Sequence, residues 1–290
     1  MTLTVLVGLV FAFFSRALQE RLRYVFARQP GAVWLAPVLL TAFFAVASGL
    51  AGVASLALIA AVLVYTAAPT LCAFLGGVGP TEKPRALDFA AILLLWLPLE
   101  FAAGAGLVPK PAQGFLHSVA YGIAILLGLT LFLCFRGFGG MKYELPHRRS
   151  DFLLPLAGFA MTAPILIAVG IPIGFIPPPH LPNAAVGRMA AAVGIVFAGT
   201  ALPEEILFRA LIQNLMMQRW GTTTRTLIAA SLIFGAAHLD NGPQPLPNWR
   251  YMILATIAGV AYGKVFQKSS SVASSALLHT LVDWTKHFFF

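Results

Sequence analysis

The sequence predicts an all-α fold: a polytopic transmembrane helix bundle of about ten spans. Of its 290 residues 59% are hydrophobic and only 10% are charged, and the mean hydropathy is +0.85. Soluble domains carry about 25% charged residues, so this chain has too few charges to cover a surface in water. The apolar residues also form runs close to the roughly 20 residues that a helix needs to cross a bilayer. Both features exclude an ordinary soluble domain.

Ten apolar segments are bounded by charged residues, glycine or proline. Lipid offers no hydrogen-bond partner to an open backbone, so each segment is expected to be helical. The predicted spans lie near residues 2–15, 32–49, 51–75, 89–107, 115–135, 152–172, 185–202, 224–239, 250–266 and 270–287. The first lacks the basic start and the small-residue cleavage site of a signal peptide, and we expect it to be retained as a helix.

The basic residues predict the orientation of these spans. When successive loops are assigned alternately to the two sides, Lys110, Arg188, Arg250 and Lys286 fall on one side and the other 15 of the 19 Lys and Arg fall on the opposite side. By the positive-inside rule, both termini then face away from the cytoplasm. The compact loops and the lack of a soluble domain suggest a bacterial cytoplasmic (inner) membrane. The partner implied by the net charge of +9 is therefore the lipid bilayer.

Nucleic acid and nucleotide partners are not predicted. The basic residues stand singly or in small groups, and neither GxGxxG nor Walker A spacing occurs. Cys72 and Cys134 lie within apolar stretches without metal-site spacing, and we assign them no chemistry.

The proline-rich stretch 171–182 is the clearest internal boundary, because proline cannot continue a helix. We therefore divide the chain into three parts. Residues 1–150 are N-terminal transmembrane helices without recognisable chemistry, residues 151–184 are a span and a proline-rich connector, and residues 185–290 carry the distinctive polar groups.

Charged and polar residues enter the apolar helices in the last third of the chain. A charge near the bilayer centre costs at least about 2.5–3.5 kcal/mol on insertion scales, so each such residue needs a partner or a function. The residues concerned are Glu204, Glu205, Arg209, Phe234, His238, His279 and Asp283.

Helical spacing separates the two adjacent glutamates. Arg209 follows Glu205 by four residues and so lies on the same face, which predicts a carboxylate–guanidinium pair. Glu204 points about 100° away, and it is left free to take a proton from water and return it. His279 and Asp283 are also four residues apart, so the carboxylate can orient the imidazole.

Two kinds of chemistry fit these residues. Glu204, His238 and His279 could bind zinc with an open position for water, although the HExxH motif is absent. Without a metal, Glu204 helped by His238 would activate water, while His279 and a neighbouring polar group would stabilise the oxyanion. The sequence leaves both mechanisms open.

The order EExxxR, FxxxH and HxxxD in successive membrane helices resembles the CPBP family. This family comprises CAAX-protease and bacteriocin-processing intramembrane proteases, and it includes the Rce1-type CAAX endopeptidases. The resemblance covers roughly residues 185–287. It implies an intramembrane endopeptidase, often classed as a metalloprotease, that acts on a membrane-associated peptide or protein.

The resemblance also implies roles for individual residues. Glu204 would activate water with His238 as its partner, and His279 would stabilise the oxyanion. Glu205 and Arg209 would be mainly architectural. The last motif often ends in asparagine in CAAX-cleaving members, but here it ends in Asp283. An ionised aspartate would repel an oxyanion, so Asp283 must be protonated, orient His279 or help to bind a metal.

Non-proteolytic functions remain as alternatives. Proton-coupled transporters also place Glu, His and Asp within the membrane, but no inverted repeat is recognisable in this chain. An immunity or scaffold pseudoenzyme would keep the polar cluster for packing alone. A bis-histidine haem site through His238 and His279 is a further alternative.

Overall fold

The computed structural model describes residues 1–81, 83–101, 113–242 and 245–290, and within these residues all regular secondary structure is helical. The predicted all-α fold is confirmed. The helices are α1 (Thr2–Ala12), α2 (Arg16–Arg28), α3 (Pro30–Leu50), α4 (Leu56–Gly76), α5 (Ala86–Glu100), α6 (Gly114–Phe135), α7 (Arg149–Gly170), α8 (Val186–Trp220), α9 (Thr224–Ala236), α10 (Trp249–Lys268) and α11 (Val272–Phe289). The end of the predicted span 89–107 and the following Lys110 lie outside the described residues.

Each predicted apolar segment overlaps one of these helices, but fewer than ten of the described helices are long and apolar enough to cross a membrane. Among the described residues five meet that standard, namely α3, α4, α6, α7 and α8, and a sixth does if α1 and α2 count as one broken span. The predicted number of about ten is therefore too high by this measure. Helices α5 and α9 have only 15 and 13 residues, while α10 and α11 carry several polar side chains.

The first predicted span, 2–15, is not one straight crossing helix. Helix α1 ends at Ala12 after 11 residues, about 16 Å or half of the hydrocarbon core. The chain then bends by 83° into α2. The Ser15 side chain accepts a hydrogen bond from the Leu18 backbone N–H and caps α2, which explains where the turn falls.

The seventh predicted span, 185–202, is part of a longer helix. Helix α8 runs for 35 residues to Trp220 and ends at Gly221, whose φ of +86° suits glycine. Its course includes π-helical turns at Phe197–Ala201 and Ile206–Gln213, a geometry often found at functional sites. Glu204 and Glu205 therefore lie near the middle of a helix instead of at the end of a span. The Glu205 charge does not end the helix because it is paired with Arg209 and buried within the protein.

The chain divides into two compact units, Met1–Met141 and Lys142–Phe290. The first ends at Met141 instead of near residue 150. The Lys142 ammonium donates to the carbonyl oxygens of Phe266, Gln267 and Ser269 at 2.6, 3.0 and 2.7 Å, and so caps the C-terminus of α10. Burial lowers the pKa of Lys142, while the Asp151 carboxylate opposes this shift. These contacts tie the segment before α7 to the second unit.

Helix α7 also belongs to the second unit instead of forming a connector. At its start, Asp151 accepts hydrogen bonds from the backbone N–H and the hydroxyl of Ser270 at 2.8 and 2.6 Å. The predicted part 151–184 is thus packed with the helices that carry the polar motifs.

The first unit contains a buried ion pair with a structural role. Arg136 Nε lies 2.7 Å from Asp88 Oδ1, and both side chains are fully buried. The same guanidinium donates to the carbonyl oxygens of Gly76 and Gly77 at the end of α4. Arg136 therefore satisfies the last carbonyls of α4 while it binds the first turn of α5.

Helices α9 and α10 approach closely at glycines. A Cβ atom on Gly235 would lie 2.0 Å from Thr256 Oγ1 and 2.7 Å from the Met252 carbonyl oxygen. A Cβ atom on Gly263 would lie 2.5 Å from Leu227 Cδ1 of α9. Small residues at such positions let membrane helices pack backbone to backbone. This packing holds the His238 end of α9 against α10.

We predict that Gly235→Ala destabilises the protein, because the new methyl group would overlap both backbone and side-chain atoms of α10. The expected loss is about 1–3 kcal/mol of unfolding free energy, typical of overpacking. Thermal unfolding in detergent measures it. Gly194→Ala in α8 is the matched control, since a Cβ atom added there would have no other atom within 4 Å. Equal stability of the two variants would contradict the packing argument.

Candidate active site

Glu205 makes two buried contacts, one within α8 and one to α11. Arg209 Nε lies 3.0 Å from Glu205 Oε2, and both side chains are fully buried. The other carboxylate oxygen, Oε1, lies 3.2 Å from His279 Nδ1. The ion pair predicted from the spacing is confirmed. Both Glu205 oxygens are engaged with protein groups, so this carboxylate holds the site together.

Glu204, one residue earlier, has a different environment. Its Oε2 atom is buried and has no hydrogen-bond partner among the described residues. The nearest basic group is His279 Nε2, at 3.9 Å, and the Glu204 side chain is 23% exposed. The free carboxylate expected from the sequence is thus present and lies beside an imidazole.

His279 is held on three sides. Nδ1 faces Glu205, while Nε2 lies 3.4 Å from Asp283 Oδ2. The Tyr262 ring stacks on the imidazole at 4.6 Å with an interplanar angle of 22°. The pairing of His279 with Asp283 predicted from their spacing is confirmed. The ring orientation is therefore set by two carboxylates and a stacked tyrosine.

His238 does not contact Glu204 directly. Its Nδ1 atom lies 2.8 Å from the Phe234 carbonyl oxygen. A carbonyl oxygen only accepts, so Nδ1 carries the proton, and Nε2 holds the lone pair of the neutral ring. The ring packs edge-on against Tyr251, with centroids 4.4 Å apart. The direct partnership with Glu204 expected from the sequence is not seen in the described part of the chain.

Phe234 lies against both histidines. Its ring centroid is 4.8 Å from that of His238 and 5.8 Å from that of His279. The Arg209 guanidinium lies over the same ring at 4.7 Å, a cation–π contact. Phe234 thus lies between the ion pair and the two imidazoles. From this position its ring can support both groups, as expected from the sequence.

The predicted zinc ligands do not gather into one site. No group of three His, Cys, Asp or Glu side chains in the described ranges is arranged to hold a metal ion. Of the expected set, Glu204 and His279 are neighbours, but His238 is paired with a backbone carbonyl. Both ring nitrogens of His279 lie beside carboxylates. These residues do not fit a three-ligand zinc site as arranged.

An apolar cavity lies beside these residues in the second unit. Its walls come from α7, α9, α10 and α11 and include Phe159, Phe175 and Leu254. His238, His279 and Asp283 line it as well. Its lining is suited to an apolar segment of an extended chain.

Three further residues line this cavity and are not singled out by the sequence motifs. Tyr251 and Tyr262 are 11 residues apart, three helical turns, and so share one face of α10. That spacing is a signal that could have found them. The sequence assigns Lys286 only to membrane orientation, although it lies two turns after His279 on the same face of α11.

The comparisons agree with this site. Residues 187–285 match the family described as type II CAAX prenyl endopeptidase Rce1-like. The match covers about a third of the chain and contains all three motifs. No curated protein and no solved structure matches the chain.

The long apolar helices are those of an integral membrane protein. Residues 187–285 are similar to the Rce1-like protease family, and this match confirms the resemblance drawn from the motifs.

We predict that Arg209→Leu strongly destabilises the protein, because it leaves the Glu205 carboxylate buried without its cation. The expected loss is about 3–5 kcal/mol of unfolding free energy. Thermal unfolding in detergent tests this against Arg225→Leu, which changes an exposed arginine of α9. The double variant Glu205→Gln/Arg209→Leu should regain part of the loss. If Arg209→Leu unfolded like the control, the ion pair would not stabilise the fold.

Proposed function

We propose that this protein is an intramembrane endopeptidase in which Glu204 activates the water that hydrolyses a peptide bond. The observation that carries the proposal is the buried Glu204 oxygen without a hydrogen-bond partner in the described part of the chain, 3.9 Å from His279 Nε2. A general base must lie within hydrogen-bond reach of the proton that it takes, directly or through one water. A water oxygen placed between Glu204 Oε2 and His279 Nε2 would lie within hydrogen-bond reach of both atoms.

The proposed reaction uses the two groups in turn. Glu204 takes a proton from water, and the water oxygen forms a bond to the carbonyl carbon of the substrate. The carbonyl π electrons move to its oxygen, and the single Nε2–H of protonated His279, which faces Asp283 in the free protein, is donated to this oxygen instead. The bond from carbon to nitrogen then breaks, and Glu204 returns its proton to the leaving amine. No step passes through a metal.

Asp283 acts in this scheme by orienting His279. The distance of 3.4 Å from Asp283 Oδ2 to Nε2 supports this role among the three that the sequence left open. Glu205 fixes the opposite nitrogen. The two carboxylates thus position the imidazole, and neither needs to contact the substrate.

His238 lines the same cavity as His279. In the neutral ring its Nε2 atom accepts a hydrogen bond, since Nδ1 is bonded to the Phe234 carbonyl oxygen. We propose that it accepts from the substrate amide or from the nucleophilic water. Its help to Glu204 is then exerted through the bound molecules.

The substrate that fits is a membrane-associated peptide or protein. The cavity lining is mainly apolar and includes His238 and His279, so an extended segment with apolar side chains suits it. The description of the matched family names prenylated CAAX substrates, which have this amphipathic character. We propose that the protein works in a bacterial cytoplasmic membrane, on account of the compact loops in its sequence.

We predict that Glu204→Gln abolishes cleavage, because the amide keeps the shape of the side chain but cannot accept the proton. The rate should fall by about 10²–10⁴-fold, the usual contribution of a general base. Cleavage of lipidated peptides by protein in nanodiscs, followed by mass spectrometry, measures it. Glu20→Gln, at an exposed glutamate of α2, is the control.

Two outcomes would argue against this function. Full activity of a folded Glu204→Gln protein would remove Glu204 from the mechanism. No cleavage by the unmodified protein would favour a transporter or a pseudoenzyme. Treatment with a zinc chelator on the same samples tests the metal-free scheme, in which activity is retained.

We predict that Asp283→Asn keeps most of the activity while Asp283→Leu loses it. Asparagine still offers an oxygen to Nε2 of His279, and Glu205 continues to hold Nδ1. Leucine removes the orienting group, and losses of such partners cost roughly 10–100-fold. The kcat of each variant on one lipidated peptide checks this order. Equal loss in both variants would mean that the charge of Asp283 matters, and not its hydrogen bond.

A further inference from the structure

Lys286 is a cation in the apolar cavity. Its ammonium lies over the rings of Phe175 and Tyr251, 4.5 and 4.9 Å from their centroids. Within the described part of the chain no carboxylate lies within 4.0 Å of it. Asp283, three residues earlier on the same helix, interacts with Lys286 electrostatically at longer range, while its carboxylate contacts His279. Aromatic faces attract a cation, but they do not neutralise its charge.

The presence of a charged lysine at an apolar wall requires a physical explanation. Charged side chains at an apolar wall are costly, and those that persist usually bind a counter-ion or a ligand. The described part of the protein supplies no anion at ion-pair distance. Lys286 lines the same cavity as His279 and Asp283, so an anionic group of the bound substrate is the partner that the geometry leaves available.

The position of Lys286 along α11 sets where that group lies. Lys286 follows His279 by seven residues, which places both on one helix face about 10 Å apart along the axis. An extended peptide advances about 3.3 Å per residue. A lysine side chain also leans back towards the N-terminus of its helix. The distance from the scissile bond is therefore roughly two to three substrate residues.

We propose that Lys286 determines specificity by binding a substrate carboxylate two to three residues from the scissile bond. This rests on the proposed endopeptidase function. The carboxylate has two sources, the C-terminal carboxylate of the substrate or an Asp or Glu side chain. In either case Lys286 acts on binding and not on the chemical step.

A purely structural role for Lys286 would have different experimental consequences. A lysine in the last turn of a helix stabilises its negative end. That role would change stability in the same way for every substrate. It would not distinguish a peptide acid from a peptide amide, so substrate discrimination separates the two roles.

The test uses three fluorescein-labelled peptides in which three residues follow an S-farnesyl cysteine. These residues are aliphatic except at the last position of the third peptide. The first ends in a free carboxylate and the second in a carboxamide. The third is a carboxamide whose last residue is aspartate. They are assayed with the full chain in nanodiscs, as wild type, Lys286→Met and Lys286→Arg. Lys264→Met, which changes an exposed lysine of α10, is the control.

We expect the wild type and the control to show a KM about tenfold lower for the free acid than for the amide, with similar kcat. Lys286→Met should lose this preference, and Lys286→Arg should keep part of it. Recovery of low KM with the aspartate peptide would identify a side-chain carboxylate as sufficient. Its failure, with the preference for the free acid intact, would assign the C-terminal carboxylate.

A binding measurement keeps the two proposals separable. Fluorescence anisotropy of the same peptides on Glu204→Gln protein, with and without Lys286→Met, reports affinity without cleavage. If no protein cleaves but the acid still binds more tightly through Lys286, the endopeptidase proposal fails and the carboxylate site stands. Equal binding of acid and amide by the wild type, or an acid preference that survives in folded Lys286→Met and Lys286→Gln, would overturn the role of Lys286.

Discussion

The buried contact between Glu205 and Arg209 is the interaction on which the site depends. It allows a helix of 35 residues to carry charges near its middle, since the two charges neutralise each other inside the protein. The second oxygen of Glu205 then fixes the imidazole of His279 on a different helix. One carboxylate thus sets both the register of α8 and the orientation of the ring. The geometry of the site therefore depends on the contacts of Glu205 with Arg209 and His279.

Two adjacent glutamates differ because a helix separates neighbours by about 100°. Glu205 points towards Arg209 and His279 and has both oxygens engaged. Glu204 points elsewhere and keeps one oxygen without a hydrogen-bond partner among the described residues. The same residue type therefore provides a structural support and a candidate base. Helix geometry alone makes this division.

The sequence predicted the local parts of this arrangement well. The pairs formed by Glu205 with Arg209 and by His279 with Asp283 follow from a spacing of four residues, because helix geometry determines them. Other features were harder. The orientation of His238 depends on the backbone carbonyl of Phe234, four residues earlier, and the types of the side chains do not encode that bond. The length of α8 was missed because hydropathy alone takes a charge as the end of a span, whether or not a partner neutralises it.

The residues that line the cavity come from a larger part of the chain than the residues assigned to bond cleavage. Phe159, Phe175 and Lys286 all line the cavity, and all lie outside the matched range 187–285. The residues assigned to bond cleavage lie inside that range. Selection can therefore act on the two parts separately, changing which substrates are admitted while the hydrolytic groups stay constant. Proteins that share the three motifs need not cleave the same substrates.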